Sequence, residues 1–219
     1  MPSSKETIVQ TLTKSFAEAK TSTTPYPYWI VDNCLPADVV REVLALPFAA
    51  PALGGVSGKR EVHNATRKYF DAENMGKYPV CNAVNAALQD KRVTQAIEKT
   101  FSTKLGGTYL RVEFAQDTNG FWLEPHTDLG VKSFTFLLYL STDAQHADLG
   151  TDIYDADKKH VGRPLFRSNS AMIFVPSNNT YHGFEARQID GVRKSLVINY
   201  VTNDWRAREQ LAYPTMPVA

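Results

Sequence analysis

Residues 108–114 read TYLRVEF. On an extended segment Tyr109, Arg111 and Glu113 fall on one face, and Leu110, Val112 and Phe114 fall on the other. This is where the chain changes character. Before it, apolar residues recur at helical steps. Ser3 and Glu6 have capping-box spacing, and Ile8, Leu12 and Phe16 follow at intervals of four. The Thr/Ser/Pro-rich residues 21–27 end that helix, and a short strand is expected near 28–31. Pro36 suits a first helical turn, with Val39, Val40, Leu44 and Leu46 as its apolar stripe. Val80, Val84 and Leu88, then Val93, Ile97 and Phe101, mark two more helices. After residue 114 the runs are strand-like, at 133–140, 152–154, 171–175, 181–184 and 192–201. Helices followed by strands predict an α+β protein, with helices on one face of an antiparallel sandwich or small barrel.

The chain has 219 residues, enough for one well-cored domain, and shows no internal repeat and no linker. The expected division is a single domain over 1–219, with 1–105 as helical support and lid and 106–203 as the β core. Lys and Arg total 24 against 23 Asp and Glu, a net charge of +1, which argues against a nucleic-acid binder. The longest apolar run, residues 134–140, is far short of the ~20 residues that span a bilayer. The first ten residues, MPSSKETIVQ, lack the pattern of a secretory signal. Two cysteines, Cys34 and Cys81, make no disulfide framework. A cytoplasmic protein is expected, with no membrane or nucleic-acid partner; no feature assigns an oligomeric state.

Residues 47–64 form a long loop containing Gly54, Gly55 and Gly58. With Lys59, Arg60, Arg67 and Lys68, the 52–68 segment is basic. It suits a lid or binding segment; these cations are expected to be solvated rather than to hold an anionic substrate group.

The histidines carry the chemistry. Two of the five, His126 and His146, begin H-x-D-L-G runs, PHTDLG and QHADLG. Two His and one carboxylate on one face leave positions open for O2 chemistry at non-haem Fe(II). His126 and Asp128 stand two apart, just before the apolar 133–140 strand, so both can reach one ion. His146 and Asp148 lie in a polar stretch, where His146 is expected to be a solvated loop residue. The third ligand must come from a distant strand. His182 lies 54 residues after Asp128, and Arg193 and Ser195 follow it by 11 and 13. His160, in a charged turn near Arg163, is the rival third ligand.

An H-x-D, a distal His and an R-x-S some ten residues later resemble the signature of the Fe(II)/2-oxoglutarate-dependent oxygenases, in their compact prolyl-hydroxylase-like branch. The resemblance covers roughly 106–203. It includes Gly120 before Glu124-Pro125-His126, the strand ending Leu138-Tyr139-Leu140, and Gly150. It implies a double-stranded β-helix (jelly-roll) core with N-terminal helices packed on the larger sheet. It implies Fe(II), 2-oxoglutarate as co-substrate, and O2. His126, Asp128 and His182 match the iron ligands. Arg193 matches the residue that pairs with the distal carboxylate of 2-oxoglutarate, a task suited to a planar guanidinium fork. Ser195 shares its strand face.

Two features depart from the prolyl-hydroxylase pattern. Arg193 stands where those enzymes commonly have Lys, and residues 117–122 lack their Tyr before the H-x-D. Arg is usual in branches that act on amino acids and small metabolites. The expected activity is therefore hydroxylation of an unactivated C–H bond of a small molecule, a free amino acid or other small anion. The alternatives are a peptidyl or protein side-chain hydroxylase and a cupin-like metal-binding protein without oxygenase chemistry. Asp128 argues against halogenation, since halogenating relatives replace this carboxylate with a small residue. Strand parity adds Tyr109, Arg111 and Asn199 as candidate pocket residues, with an internal Arg111–Glu113 pair as the structural alternative.

Overall fold

The computed structural model describes residues 4–50, 58, 67–128 and 130–219. Helix α1 (Lys5–Ala17) opens the fold. Its cap lies one residue later than the Ser3 spacing suggests: Ser4 Oγ accepts from the Thr7 amide at 3.2 Å. Strands β1 (Lys20–Ser22) and β2 (Tyr28–Asp32) follow, then α2 (Ala37–Leu44) behind Pro36. Next come β3 (Lys68–Tyr69), α3 (Ala72–Lys77), α4 (Pro79–Leu88) and α5 (Lys91–Phe101).

The alternating stretch becomes β4 (Tyr109–Asp117). After it lie β5 (Leu123–His126), β6 (Lys132–Tyr139), β7 (Asp152–Tyr154) and β8 (His160–Gly162). The last three strands are β9 (Ser170–Phe174), β10 (His182–Phe184) and β11 (Arg193–Val201). They form two antiparallel sheets. The larger has the order β1-β2-β9-β6-β11-β4-β3 and the smaller β5-β10-β7-β8. Three strands of the larger sheet therefore precede residue 105, in the part expected to be mainly helical.

Parity along the central strands divides the molecule into layers. Leu110, Val112 and Phe114 of β4, Phe134, Phe136 and Leu138 of β6, and Leu196, Ile198 and Tyr200 of β11 are buried against the helices. Phe16 of α1 meets Phe101 of α5 and Phe136 of β6 edge-on, at centroid distances of 5.3 and 5.8 Å. Tyr200 also reaches out of the sheet and donates to the Leu88 carbonyl at the end of α4, at 2.6 Å. The opposite sheet face, with Tyr139, Met172 and Phe174, packs against Ile153 and Phe184 of the smaller sheet. The site lies on this second face, between the sheets.

Candidate metal centre and its cavity

His126 ends β5 and His182 begins β10, and the two are register partners across the antiparallel pair. Their ring centroids are 4.3 Å apart. Gly183 makes this approach possible: a Cβ there would lie 2.6 Å from the Leu123 carbonyl oxygen. Asp128, two residues beyond β5, turns its carboxylate between the rings. Its Oδ1 is 3.7 Å from His126 Nε2, and its Oδ2 is 3.7 Å from His182 Nε2. Ligand atoms of the three side chains all lie within 4.8 Å of one another.

Hydrogen bonding decides which nitrogen each ring presents. His126 Nδ1 donates to the Glu124 carbonyl at 2.9 Å, and His182 Nδ1 donates to the Thr180 carbonyl at 3.0 Å. Each Nε2 lone pair is thereby left facing the Asp128 carboxylate. The 3.7 Å separations are too long for hydrogen bonds. They approach the roughly 3 Å expected between adjacent ligands of one ion with bonds of about 2.1 Å. These residues fit a divalent metal of the Fe(II) type.

Protonation states agree. Burial acts to raise the Asp128 carboxyl, but Lys132, His182 and His126 outweigh it and hold it well below the usual carboxylate range. Lys132 Nζ donates to Oδ1 at 2.7 Å and Thr135 Oγ1 to Oδ2 at 2.9 Å. Burial pushes His182 down to about 4, against the opposing pull of Asp128. At neutral pH the group therefore offers a carboxylate and a neutral imidazole, the ligating forms.

The three residues border a cavity of about 480 Å³. Arg193 and Ser195 line it from the start of β11, with Val197 beyond. Arg193 is buried; its Nε donates to the Leu149 carbonyl at 2.7 Å and its Nη1 to Asp117 Oδ2 at 2.5 Å. Its guanidinium lies over the Phe184 and Phe166 rings, 4.8 and 5.0 Å from their centroids.

The other candidate pocket residues separate. Arg111 reaches the cavity. The expected pair is present, with Arg111 Nη2 donating to Glu113 at 3.2 Å. Asn199 stands behind the wall, accepting from Arg111 at 3.2 Å and donating to Thr135 at 3.1 Å. It links Arg111 to the hydroxyl that supports Asp128. Tyr109 lies under the Arg208 guanidinium, 3.9 Å from its ring centroid, and outside the cavity wall.

Besides Tyr109 and Asn199, which do not line the cavity, two expectations need correction. Arg67 is not solvated: its side chain is only 9% exposed, it lines the cavity, and it forms a two-point ion pair with Glu113. Inward-pointing Glu113 attracts it, a link between residues 46 apart that no local pattern reveals. His146 is not a solvated loop residue either. A short 3₁₀ turn, Ala144–His146, carries it inside, where Nε2 donates to the Asp190 carbonyl at 2.7 Å. His160 stands elsewhere, 3.2 Å from Asp152. Although His160, Asp152 and Glu185 cluster, Arg163 and Arg187 already bind Asp152 at 2.6 and 2.7 Å. Those guanidiniums oppose a bound cation. Lys59, Arg60 and His63 lie outside the described residues.

No protein-family model matches the chain, and no curated protein matches it by sequence. Solved structures do. A prolyl-4-hydroxylase from Pseudomonas putida matches at a TM-score of 0.56 and 18% identity, over 90% of this chain and 94% of its own. A prolyl hydroxylase from Trichoplax adhaerens, solved with a hypoxia inducible factor oxygen degradation domain peptide, matches at 0.57 and 16% identity, over 93% of each chain. The non-haem alpha-ketoglutarate-dependent epimerase SnoN of nogalamycin biosynthesis matches at 0.52 and 17%, over 89% of this chain and 82% of its own. The fold is that of the 2-oxoglutarate–Fe(II) oxygenases, as the motif resemblance implied.

Proposed function

We propose that the protein is an Fe(II)- and 2-oxoglutarate-dependent oxygenase that hydroxylates an unactivated C–H bond of a small molecule. The observation that carries this reading is a single cavity bordered both by the His126, Asp128 and His182 ligand atoms and by buried Arg193. His126, Asp128 and His182 would hold the iron. When bound, iron supplies O2 activation coupled to the oxidative decarboxylation of 2-oxoglutarate to succinate and CO2.

The chain's own residues bind, orient and shield. Arg193 presents a fixed cation to the distal carboxylate of 2-oxoglutarate, and Ser195 offers a hydroxyl on the same strand face. Phe184 and Leu137 give the cavity apolar walls that limit water. Thr135 and Lys132 fix the Asp128 carboxylate, so the coordinating oxygen needs little reordering. Asp128 also favours hydroxylation over halogenation, because it fills the position a halide needs. No helix among the described residues is long and apolar enough to cross a membrane. Both cysteines are free and buried, which supports the cytoplasm as the compartment.

The second reading is a peptidyl hydroxylase, favoured by the likeness of fold to prolyl hydroxylases. Anaerobic Fe(II) plus 2-oxoglutarate should give a weak visible absorption band, lost in Asp128→Ala and Arg193→Ala. Exposure to O2 should then release succinate. A wild-type protein giving neither is not an oxygenase and falls to the cupin-like reading. With the band established, succinate release stimulated by peptides but by no small molecule selects the second reading.

A further inference from the structure

One residue of β6 breaks the parity of its strand. Leu137 and Tyr139 line the cavity and Thr135 shares their face, whereas Phe134, Phe136 and Leu138 pack against the helices. Counting by twos puts Lys132 with Phe134, its ammonium among aromatic rings. Register shows why it is not there. Tyr200 pairs with Phe134 and Val201 with Lys132, so β11 advances one residue where β6 advances two. Ser133 is the extra residue of a β-bulge, a device that re-aims side chains. The Ser133 carbonyl accepts from Thr103 Oγ1 at 3.0 Å. Lys132 is turned onto the cavity wall, its side chain 19% exposed and its Nζ donating to Asp128 Oδ1 at 2.7 Å.

The Asp128 carboxylate thus has two unlike supports from one strand. Thr135 Oγ1 accepts from Asn199 at 3.1 Å and donates to Asp128 Oδ2 at 2.9 Å, so its single proton is committed to the carboxylate. That contact is neutral and orients. Lys132 brings a full positive charge to Oδ1, the oxygen 3.7 Å from His126 Nε2. Among the described residues, Asp128 is the one carboxylate with which Lys132 pairs. A cation held by His126 and Asp128 shares that carboxylate with the ammonium. At such separations in a buried site, repulsion between like charges outweighs the gain from one hydrogen bond.

We propose that Lys132 is a positioning residue that sets the strength of the metal centre: it neutralises Asp128 in the metal-free protein and competes with the metal for the same charge. The bulge at Ser133 is what brings it there. Thr135 supplies orientation while Lys132 restrains affinity, so two donors to one carboxylate act in opposite directions. Lys132 has this role only where His126, Asp128 and His182 are the metal ligands, the reading on which the proposal rests.

The probe is Mn(II) alone, titrated by calorimetry into the full-length protein. Lys132→Met should bind it about threefold to thirtyfold more tightly than the wild type. Lys132→Gln, which keeps an N–H donor without the charge, should do the same and guards against misfolding of the first variant. Lys132→Arg keeps the charge and should stay within about threefold of the wild type. Thr135→Val should bind about tenfold more weakly. Thermal melts give a second readout: Lys132→Met should lower the midpoint of the metal-free protein, and Mn(II) should raise it by more than in the wild type. A residue that only held the carboxylate in place would weaken Mn(II) binding when removed, as Thr135 does. Equal or weaker Mn(II) binding in folded Lys132→Met and Lys132→Gln overturns the proposal. Failure of the wild type to bind Mn(II) at all would instead sink the metal-centre reading.

Discussion

Arg193 Nη1 donates to Asp117 Oδ2 at 2.5 Å, and both side chains are about 5% exposed or less. The proposed anchor for 2-oxoglutarate is thus held by a carboxylate of its own. Asp117 faces Arg193 across the β4–β11 ladder, so the contact follows from register. The pair lowers the cost of burying a guanidinium, but it also weakens the field an incoming anion meets.

Asp117→Asn keeps an oxygen acceptor while removing the charge. We expect it to bind 2-oxoglutarate about threefold to tenfold more tightly, with a lower thermal midpoint. Arg193→Met should abolish binding at millimolar co-substrate. Calorimetry and thermal melts on the same preparations separate the two effects. Weaker 2-oxoglutarate binding in Asp117→Asn would show that Asp117 orients Arg193 more than it screens it.

A second prediction concerns Gly183. Adding a Cβ there presses on the Leu123 carbonyl and forces β10 away from β5. His182 then moves relative to His126, its register partner. Gly183→Ala should lose about tenfold to a hundredfold in Mn(II) affinity, on the scale of disturbing groups that orient metal ligands. His182→Ala should lose more. Metal content after gel filtration, with circular dichroism as the check on folding, reads both. Normal metal affinity in Gly183→Ala would mean that the strands accommodate the methyl elsewhere.

Much of this was legible in the chain, for physical reasons that vary by element. Strand β11 shows its alternation over nine residues, so once the motif resemblance turns Arg193 inward, period two carries Ser195 and Val197 to the same face. His126, Asp128 and His182, singled out by their resemblance to a motif of fixed residue type and order, are brought within reach of one another. Strands β1, β3, β5 and β8 span two to four residues, too few for a period to register. Helix α3 buries no residue and so carries no apolar stripe. Arg67 and His146 were misread because their burial depends on partners distant in sequence, Glu113 and Asp190. Local polarity argued for solvent; tertiary pairing prevailed.

The helical layer is tied to the sheet by Tyr200, whose hydroxyl donates to the Leu88 carbonyl at 2.6 Å. The residue is fully buried. Tyr200→Phe leaves that carbonyl without this donor at little change in volume, and should cost about 1 kcal/mol. For a domain of this size the melting temperature should fall by about 2–4 °C. Mn(II) affinity should be unchanged, because Tyr200 faces the helices. Equal stability of the two proteins would mean that water replaces the bond.

Acid stability should depend on Asp152. This carboxylate is fully buried in β7 and accepts from Arg163, Arg187 and the Glu185 amide at 2.6, 2.7 and 2.6 Å. Burial acts to raise its pKa, but Arg187, the Glu185 amide and Arg163 together depress it below the ordinary value of 3.8. A depressed folded-state value means that the unfolded chain binds the proton more readily. The stabilisation is therefore complete above the ordinary value and is lost as pH falls below it, toward the folded-state value. Asp152→Asn removes the charge at all pH values and should cost about 3 kcal/mol at neutral pH, as for other broken buried ion pairs. Urea unfolding of both proteins across the acid range should show the difference between them shrinking as pH drops. A difference independent of pH would assign the effect to lost hydrogen-bond geometry instead of charge.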